Sequence, residues 1–196
     1  MTFGASAAHA AVTISIKQNG SSVVAVASGT LDLTGMTLMD FSAHIQAYVQ
    51  ADRPAVMFGI QPSANLVALY NGFTSTPSGF GTGPMIFPST TSGTIFGVTN
   101  DTAGVAGPAI AFGQAFASGG TISSTNVWTS KTLTSLGLVE GQYVWTLSND
   151  TIAVTVGNPP VVPAVPEPAT WATMLIGFGA IGGAMRRRTV ARVRFV

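Results

Sequence analysis

The sequence predicts a mainly β protein, with a single β-sandwich or jelly-roll-like domain, then a Pro-rich linker and one short C-terminal transmembrane helix. Three observations support this prediction. Apolar and polar residues alternate with period two in several short runs. Glycine, serine and threonine are abundant between these runs, and they favour turns over long helices. The last part of the chain is apolar and free of acidic residues until an arginine cluster.

The first strands have the clearest pattern. Val12, Ile14 and Ile16 alternate with polar residues, and Asn19-Gly20 is a strong two-residue hairpin signal. The strand after this turn is predicted at 22–27. Further strands are predicted at 56–60, 66–70, 94–98, 109–112, 121–128, 143–147 and 151–156. Short strands at this spacing are typical of a two-sheet sandwich.

Three segments of the body do not follow the strand pattern. Residues 40–50 carry Phe41, Ile45 and Tyr48 on one helical face, so we expect a turn or two of helix there. Residues 132–138 have room for one helical turn between strands. Residues 72–88 are rich in proline and glycine, and they are predicted to form a long surface loop.

The N-terminal residues 1–10 are predicted to be the remnant of a secretory signal peptide. Ala8 and Ala10 flank His9 in a small-x-small pattern, which is typical of a signal cleavage site. The basic start and most of the apolar region of such a signal are expected upstream of Met1. Residues 11–157 would then be the β-sandwich-like extracytoplasmic domain.

The C-terminal part divides into three segments. Residues 158–168 form a Pro-rich linker that ends in Pro166-Glu167-Pro168, and residues 169–188 are predicted to be a transmembrane helix with its stop. The uncharged part, 171–185, would be roughly 22 Å long as a helix at about 1.5 Å per residue, against a hydrocarbon core of about 30 Å. The span is therefore short. Because arginine clusters stay cytoplasmic, residues 189–196 are predicted to be a cytoplasmic tail, with the body outside the inner membrane.

The order of these parts resembles a known signal. Pro166, Glu167, Pro168 and Trp171, then the apolar span and Arg186, Arg187 and Arg188, are similar to the PEP-CTERM sorting signal of Gram-negative bacteria, also called the ice-binding protein C-terminal domain. The Trp-Ala pair after the triplet resembles the variant common in sphingomonad-type α-proteobacteria.

This resemblance implies a processing route. In the family an exosortase, a membrane-embedded transpeptidase-like enzyme, recognises the Pro-Glu-Pro triplet, removes the tail and passes the protein to the envelope or extracellular matrix. The triplet would be the recognition motif, the span a transient membrane anchor, and the arginines the membrane stop. The implied location is the inner membrane with the body in the periplasm, and the envelope or matrix after processing.

Composition excludes several functions. Charged residues are 8% of the chain, and cysteine is absent. Most basic residues lie at or beyond Arg186, so the body before them is mildly acidic. Nucleic-acid binding is therefore not expected. His44 would be the one histidine after signal removal. The scattered carboxylates, which form no recognisable catalytic or metal-binding spacing, are Asp32, Asp40, Asp52, Asp101, Glu140 and Asp150. We therefore predict no enzyme activity, no catalytic residue, no cofactor and no metal site.

The remaining question is what the body does. Its charge-poor, Thr/Ser-rich composition and the sorting signal predict a structural surface or extracellular-matrix protein associated with exopolysaccharide and biofilm. The alternative is a carbohydrate- or ice-binding module. Aromatic side chains can stack on sugars or fill a sandwich core, and the candidates for either role are Tyr70, Phe73, Trp128, Tyr143 and Trp145.

Overall fold

The computed structural model describes residues 11–42, 46–59, 67–100, 107–159, 176–179, 181–183 and 185. The chain divides into two compact units, Met1–Pro159 and Pro160–Val196. The strands of the first unit are β1 (Ala11–Asn19), β2 (Ser22–Thr30), β3 (Thr37–Ser42), β4 (Tyr48–Gln50), β5 (Ala55–Phe58), β6 (Val67–Asn71), β7 (Phe73–Ser75), β8 (Met85–Ile86), β9 (Thr90–Gly93), β10 (Phe96–Thr99), β11 (Ala109–Gly113), β12 (Thr121–Trp128), β13 (Gly141–Leu147) and β14 (Thr151–Val156).

These strands form two sheets. Sheet A is seven-stranded in the order β7-β13-β14-β1-β2-β12-β9, and sheet B is seven-stranded in the order β3-β6-β11-β10-β5-β4-β8. Neighbouring strands are antiparallel except β1 and β14, which pair in parallel from Ala11↔Thr151 to Ile16↔Val156. The predicted mainly β fold with two sheets is confirmed.

Sheet A follows the period-two pattern of its sequence. In β1, β2, β12 and β14 every second side chain is buried, and the residues between them are half-buried or exposed. The first hairpin closes with Asn19 opposite Ser22, so its two turn residues are Gly20 and Ser21. This is one residue later than the Asn19-Gly20 turn predicted. Gly20 has a φ of 57°, a left-handed conformation that glycine adopts without steric cost.

The central strands of sheet B are buried on both faces. All residues of β5 and β10 are buried, as are the first four of β11. The inner side chains of these strands, such as Val56, Phe96 and Ile110, join one core cluster with Ile14, Trp145 and other side chains of sheet A. The outer side chains form a second buried cluster of Tyr48, Ala55, Met57, Val67, Leu69 and Ala111.

Polar side chains also join the sheets. Asn126 in β12 is buried, and its Nδ2 donates to the carbonyl of Met57 in β5 at 2.8 Å. Thr91 Oγ1 in β9 accepts from the backbone amide of Gly59 at 2.9 Å. Trp145 Nε1 donates to Asn100 Oδ1 at 3.0 Å. These bonds link specific strands of the two sheets, which apolar packing alone would not specify.

Two local predictions need correction. Residues 40–50 are not helical in their described parts, because β3 runs through Ser42 and β4 occupies Tyr48–Gln50. Of the residues with helical spacing, Phe41 lies in β3 and Tyr48 in β4, and Ile45 lies outside the described residues. Residues 72–88 are not wholly loop, since they contain β7 and β8. The helical turn predicted at 132–138 is confirmed as a 3₁₀ turn over Thr134–Leu136.

Candidate functional site

The described part of the second unit is helical and apolar. Residues 176–179, 181–183 and 185 are in α-helical conformation. Ile176, Phe178, Ile181 and Met185 are between 60 and 72% exposed. Large apolar side chains that are exposed around a helix are typical of a segment that inserts into a membrane or binds a partner. Among the described residues, however, no helix has both the length and the hydropathy required to cross a membrane.

The glycines of this segment leave its surface open. A Cβ atom added at Gly179 or Gly183 would meet nothing within 4 Å. Their four-residue spacing is the kind that permits close approach of two helices in lipid.

The predicted sorting and cleavage residues lie outside the described residues. These are the signal cleavage residues Ala8 and Ala10, the motif residues Pro166, Glu167, Pro168 and Trp171, and the membrane stop Arg186, Arg187 and Arg188. His44 and Asp101 also lie outside the described residues, as do the predicted linker from residue 160 to residue 168 and the tail at 189–196.

Among the body carboxylates, Asp32 and Asp150 have structural partners. Asp150 is 4% exposed, and its two oxygens accept from the backbone amides of Thr151 at 2.7 Å and of Asp32 at 3.1 Å. Asp32 Oδ1 accepts from the Thr34 amide at 2.9 Å and the Ser118 hydroxyl at 3.1 Å. Both carboxylates therefore fix loop backbone at one end of sheet A.

The electrostatics of Asp32 follow from these bonds. The hydrogen bond from the Thr34 backbone amide, with smaller contributions from the side chains of Thr34 and Ser118, lowers the pKa of Asp32 below its ordinary value of 3.8. In the part of the chain that the structure describes, no three His, Cys, Asp or Glu side chains come together in a way that could hold a metal ion.

The aromatic candidates lie in the core or at its border. Trp128 and Trp145 are at most 1% exposed, and Tyr70, Phe73 and Tyr143 are partly buried against the same core. Phe80 packs edge-on against Tyr143 at 5.1 Å and against Trp145 at 5.5 Å between ring centroids. The sequence left two roles open for these residues, sugar stacking and core packing. The two tryptophans are buried, so they fill the core and do not form an exposed sugar-stacking surface.

Tyr143 has a further role at the start of β13. Its hydroxyl donates to the carbonyl of Val139, four residues upstream, at 2.9 Å. This arrangement is similar to the tyrosine corner of other β-sandwiches, in which a tyrosine bonds the preceding loop. Burial raises the pKa of Tyr143 above its ordinary value of 10.0.

The outer face of sheet A is a regular polar surface. Cross-strand rows run through paired residues, for example Thr155↔Ser15↔Val26↔Thr125 and Ala153↔Thr13↔Ser28↔Ser123. We call this surface the hydroxyl face, and its hydroxyl side chains include Thr13, Ser15, Ser28, Thr30, Thr121, Ser123, Thr125, Thr146, Thr151 and Thr155.

The hydroxyl face is nearly without charge. Strands about 4.8 Å apart and residues about 6.7 Å apart along each strand place these side chains on a regular lattice. Lys17, at one end of β1, is the charged residue of the rows, and Val26 and Val144 add exposed apolar groups. Sequence analysis did not identify this surface, although threonine and serine at alternate positions of β1, β12 and β14 were its visible signal.

The comparisons with known proteins concern the second unit. The family model of the PEP-CTERM protein-sorting motif matches residues 164–188. The chain therefore carries this sorting motif, and the predicted resemblance is confirmed. The match supports an exported protein that is recognised by an exosortase and is anchored in the membrane transiently. No curated protein and no solved structure matches the chain significantly.

Proposed function

We propose that this protein is a structural, non-enzymatic component of the cell envelope or extracellular matrix, associated with exopolysaccharide and biofilm. The observation that carries the proposal is the sorting motif at 164–188, which follows a body whose strands end at Val156. In this arrangement the motif supplies delivery, and the two-sheet body is the part that acts after processing.

The route follows from the order of segments. The body is exported to the periplasm, residues 169–188 hold it in the inner membrane, and Arg186–Arg188 keep the C-terminus in the cytoplasm. An exosortase then cuts near Pro166-Glu167-Pro168, and the body passes to the envelope or matrix. Removal of the tail also removes most of the basic residues, so the mature protein is mildly acidic.

Intact-mass measurement tests this route. The protein is isolated from cells with and without the exosortase gene, together with a Glu167→Ala variant and a Pro163→Ala control outside the matched motif. We expect loss of the tail in wild type and in the control, and retention of Arg186–Arg188 in Glu167→Ala and in the strain without exosortase. A tail retained in all four samples would contradict the proposal.

A second candidate function, a carbohydrate- or ice-binding module, is favoured by the hydroxyl face. Each hydroxyl can donate and accept a hydrogen bond, so the lattice can match the hydroxyl groups of a neutral polysaccharide chain. The near absence of charge disfavours a polyanionic ligand, because there is little to offset the desolvation of ligand charges. A regular array of hydroxyl and methyl groups could also order water, which is the basis of the ice alternative.

Two measurements separate the ligands. Co-sedimentation with insoluble neutral polysaccharides and partitioning into growing ice are compared for wild type and for a Ser15→Lys/Thr125→Lys variant, which places charges on both sides of Val26. Gln114→Lys/Ala115→Lys, which adds the same two charges at exposed positions in the loop after β11, is the matched control. We expect polysaccharide binding that the double variant loses and the control keeps. Partitioning into ice alone would favour the ice alternative, and binding of neither ligand would exclude this second function.

A further inference from the structure

The chain leaves the body from an interior strand. In sheet A, β14 lies between β13 and β1, and it pairs along its whole length with both, from Thr151 to Val156. Its inward side chains Ile152, Val154 and Val156 are all fully buried. Immediately after the strand, the Gly157 amide donates to the carbonyl of Ile16 at 2.8 Å. The sorting motif begins a few residues later, at residue 164.

The direction of β14 decides how a pull on this end of the chain is resisted. Hydrogen bonds between strands run across the strand direction. A force applied beyond Gly157 and resisted at the opposite end of sheet A acts along the axis of β14, so it loads the bonds of both ladders together. A strand at a sheet edge, pulled sideways, would instead lose its bonds one after another. The three buried side chains of β14 would also have to slide through the core.

We infer that β14 is the force-resisting element of this protein. When the C-terminal end is attached and the body is pulled away from it, β14 carries the tension and keeps the body folded. This inference rests on the proposed function, in which the end beyond β14 is held first by the membrane anchor and then by the attachment that processing leaves. A matrix protein attached in this way must stay folded when its ligand or neighbours move relative to the cell. When the opposing hold lies at the other end of sheet A, this pairing turns the tension into shear along β14.

The parallel pairing of β1 and β14 provides a direct test. Ser21, in the first hairpin turn, lies at the same end of sheet A as Val156, whereas Ser28 lies roughly 23 Å further along β2, toward the other end. A pull between Ser21 and the exit of β14 is directed across the strands and peels them apart. A pull between Ser28 and the same exit is directed along β14 and shears both ladders.

Because the chain has no cysteine, handles can be attached at two chosen sites. The full chain is prepared as Ser28→Cys/Asn158→Cys and as Ser21→Cys/Asn158→Cys, and all three positions are exposed. Both variants are stretched by single-molecule force spectroscopy at the same loading rate. Forced unfolding reports the unfolding rate along the pulling direction, and we expect a rupture force at least about twofold higher for the Ser28 handle.

Controls separate direction from stability. Urea unfolding of the two variants should give the same midpoint, since the substitutions are on exposed sites. If the Ser28 variant is less stable, Thr121→Cys, exposed and toward the same end of the sheet, replaces it. Equal rupture forces in the two directions would overturn the inference about β14. That result would leave the sorting route intact, and a failed sorting experiment would leave the force measurement unchanged.

Discussion

The outer faces of the two sheets differ in composition and in exposure. On sheet A the outward positions carry threonine, serine and valine and are half-buried or exposed, as at Ser15, Val26 and Thr125. In the central strands of sheet B the outward positions carry small or apolar side chains and are buried, as at Met57 and Ala111. The two sheets share one inner core, so their outer faces alone distinguish them. The difference indicates that sheet A presents the surface available for contacts. The central strands of sheet B instead bury apolar side chains on both faces, and this burial stabilises the body.

The largest effect is expected from a charge on the outer face of sheet B. Ala111→Asp places a carboxylate among Tyr48, Met57 and Leu69, at a position with no exposure. A buried unpaired charge costs about 3–5 kcal/mol of unfolding free energy, which is a large part of the stability of an ordinary domain. Urea unfolding followed by tryptophan fluorescence measures this loss.

The matched control for that change lies on sheet A. Ser15→Asp introduces the same side chain on the hydroxyl face, where it stays hydrated, and the expected cost is about 1 kcal/mol or less. If Ala111→Asp does not fold, Ala111→Ser gives a graded version with an expected loss of about 1–3 kcal/mol. Equal losses at Ala111 and Ser15 would contradict the contrast between the two faces.

An intermediate effect is expected at Gly97 in β10. A Cβ atom there would overlap the Met57 sulfur and lie 2.6 Å from the Val56 carbonyl oxygen. Because the neighbouring atoms include backbone, Gly97→Ala should lower the unfolding free energy by about 1–3 kcal/mol through overpacking. Ala153→Val is the comparison on the hydroxyl face, where the position is half-buried and a change within about 0.5 kcal/mol is expected. Thermal unfolding of both variants checks the difference, and an unchanged midpoint for Gly97→Ala would show that β10 and β5 can separate slightly.

A smaller effect is expected at Tyr143, on the inner side of sheet A. Tyr143→Phe removes the bond to the Val139 carbonyl and should cost about 0.5–1.5 kcal/mol. Because the pKa of Tyr143 is raised in the folded state, the folded protein holds this proton more tightly than the unfolded chain does. That contribution to stability is present below about pH 10 and is lost as the pH rises through the raised pKa.

The variant therefore changes the alkaline behaviour as well. The Tyr143→Phe variant has no hydroxyl group to ionise at this position. Its unfolding free energy should therefore fall less steeply above about pH 10 than that of wild type. Parallel curves for the two proteins between pH 9 and about 11.5 would show that the hydroxyl does not titrate with unfolding.

Sequence analysis predicted the strands with a clear alternating or continuous apolar pattern, including the four-residue β5 and β10, and missed the others for a physical reason. β1, β12 and β14 have enough residues for alternation to be visible, and the continuous apolar runs of β5 and β11 indicated buried strands. The missed strands β3, β4, β7, β8 and β9 are specified by the neighbours with which they pair, and local periodicity does not contain that information.

The functional regions differ in the same way. The sorting motif at 164–188 is a contiguous signal, so residue order alone identified it. The hydroxyl face joins β14 to β1, far apart in the chain, and so it became visible only when the strand pairing was known. Its composition was in the sequence, but its arrangement was not.

The smallest effect is expected in the loop that leads from sheet A to sheet B, at Asp32. The hydrogen bonds from Thr34 and Ser118 lower its pKa in the folded state, so the folded protein binds this proton more weakly than the unfolded chain. The stabilisation is fully present above pH 3.8 and is lost as the pH falls through the lowered pKa.

Asp32→Asn should therefore be less stable than wild type at neutral pH and should lose less stability below about pH 4. Ser118→Ala, which removes one of the donors, should shift the acid transition in the same direction by a smaller amount. The thermal midpoints of wild type and Asp32→Asn are compared from about pH 5 to about pH 2.5. If they fall in parallel, the hydrogen bonds at this loop stabilise the charged and the neutral Asp32 carboxyl equally. The loop between the sheets would then not depend on the carboxylate charge.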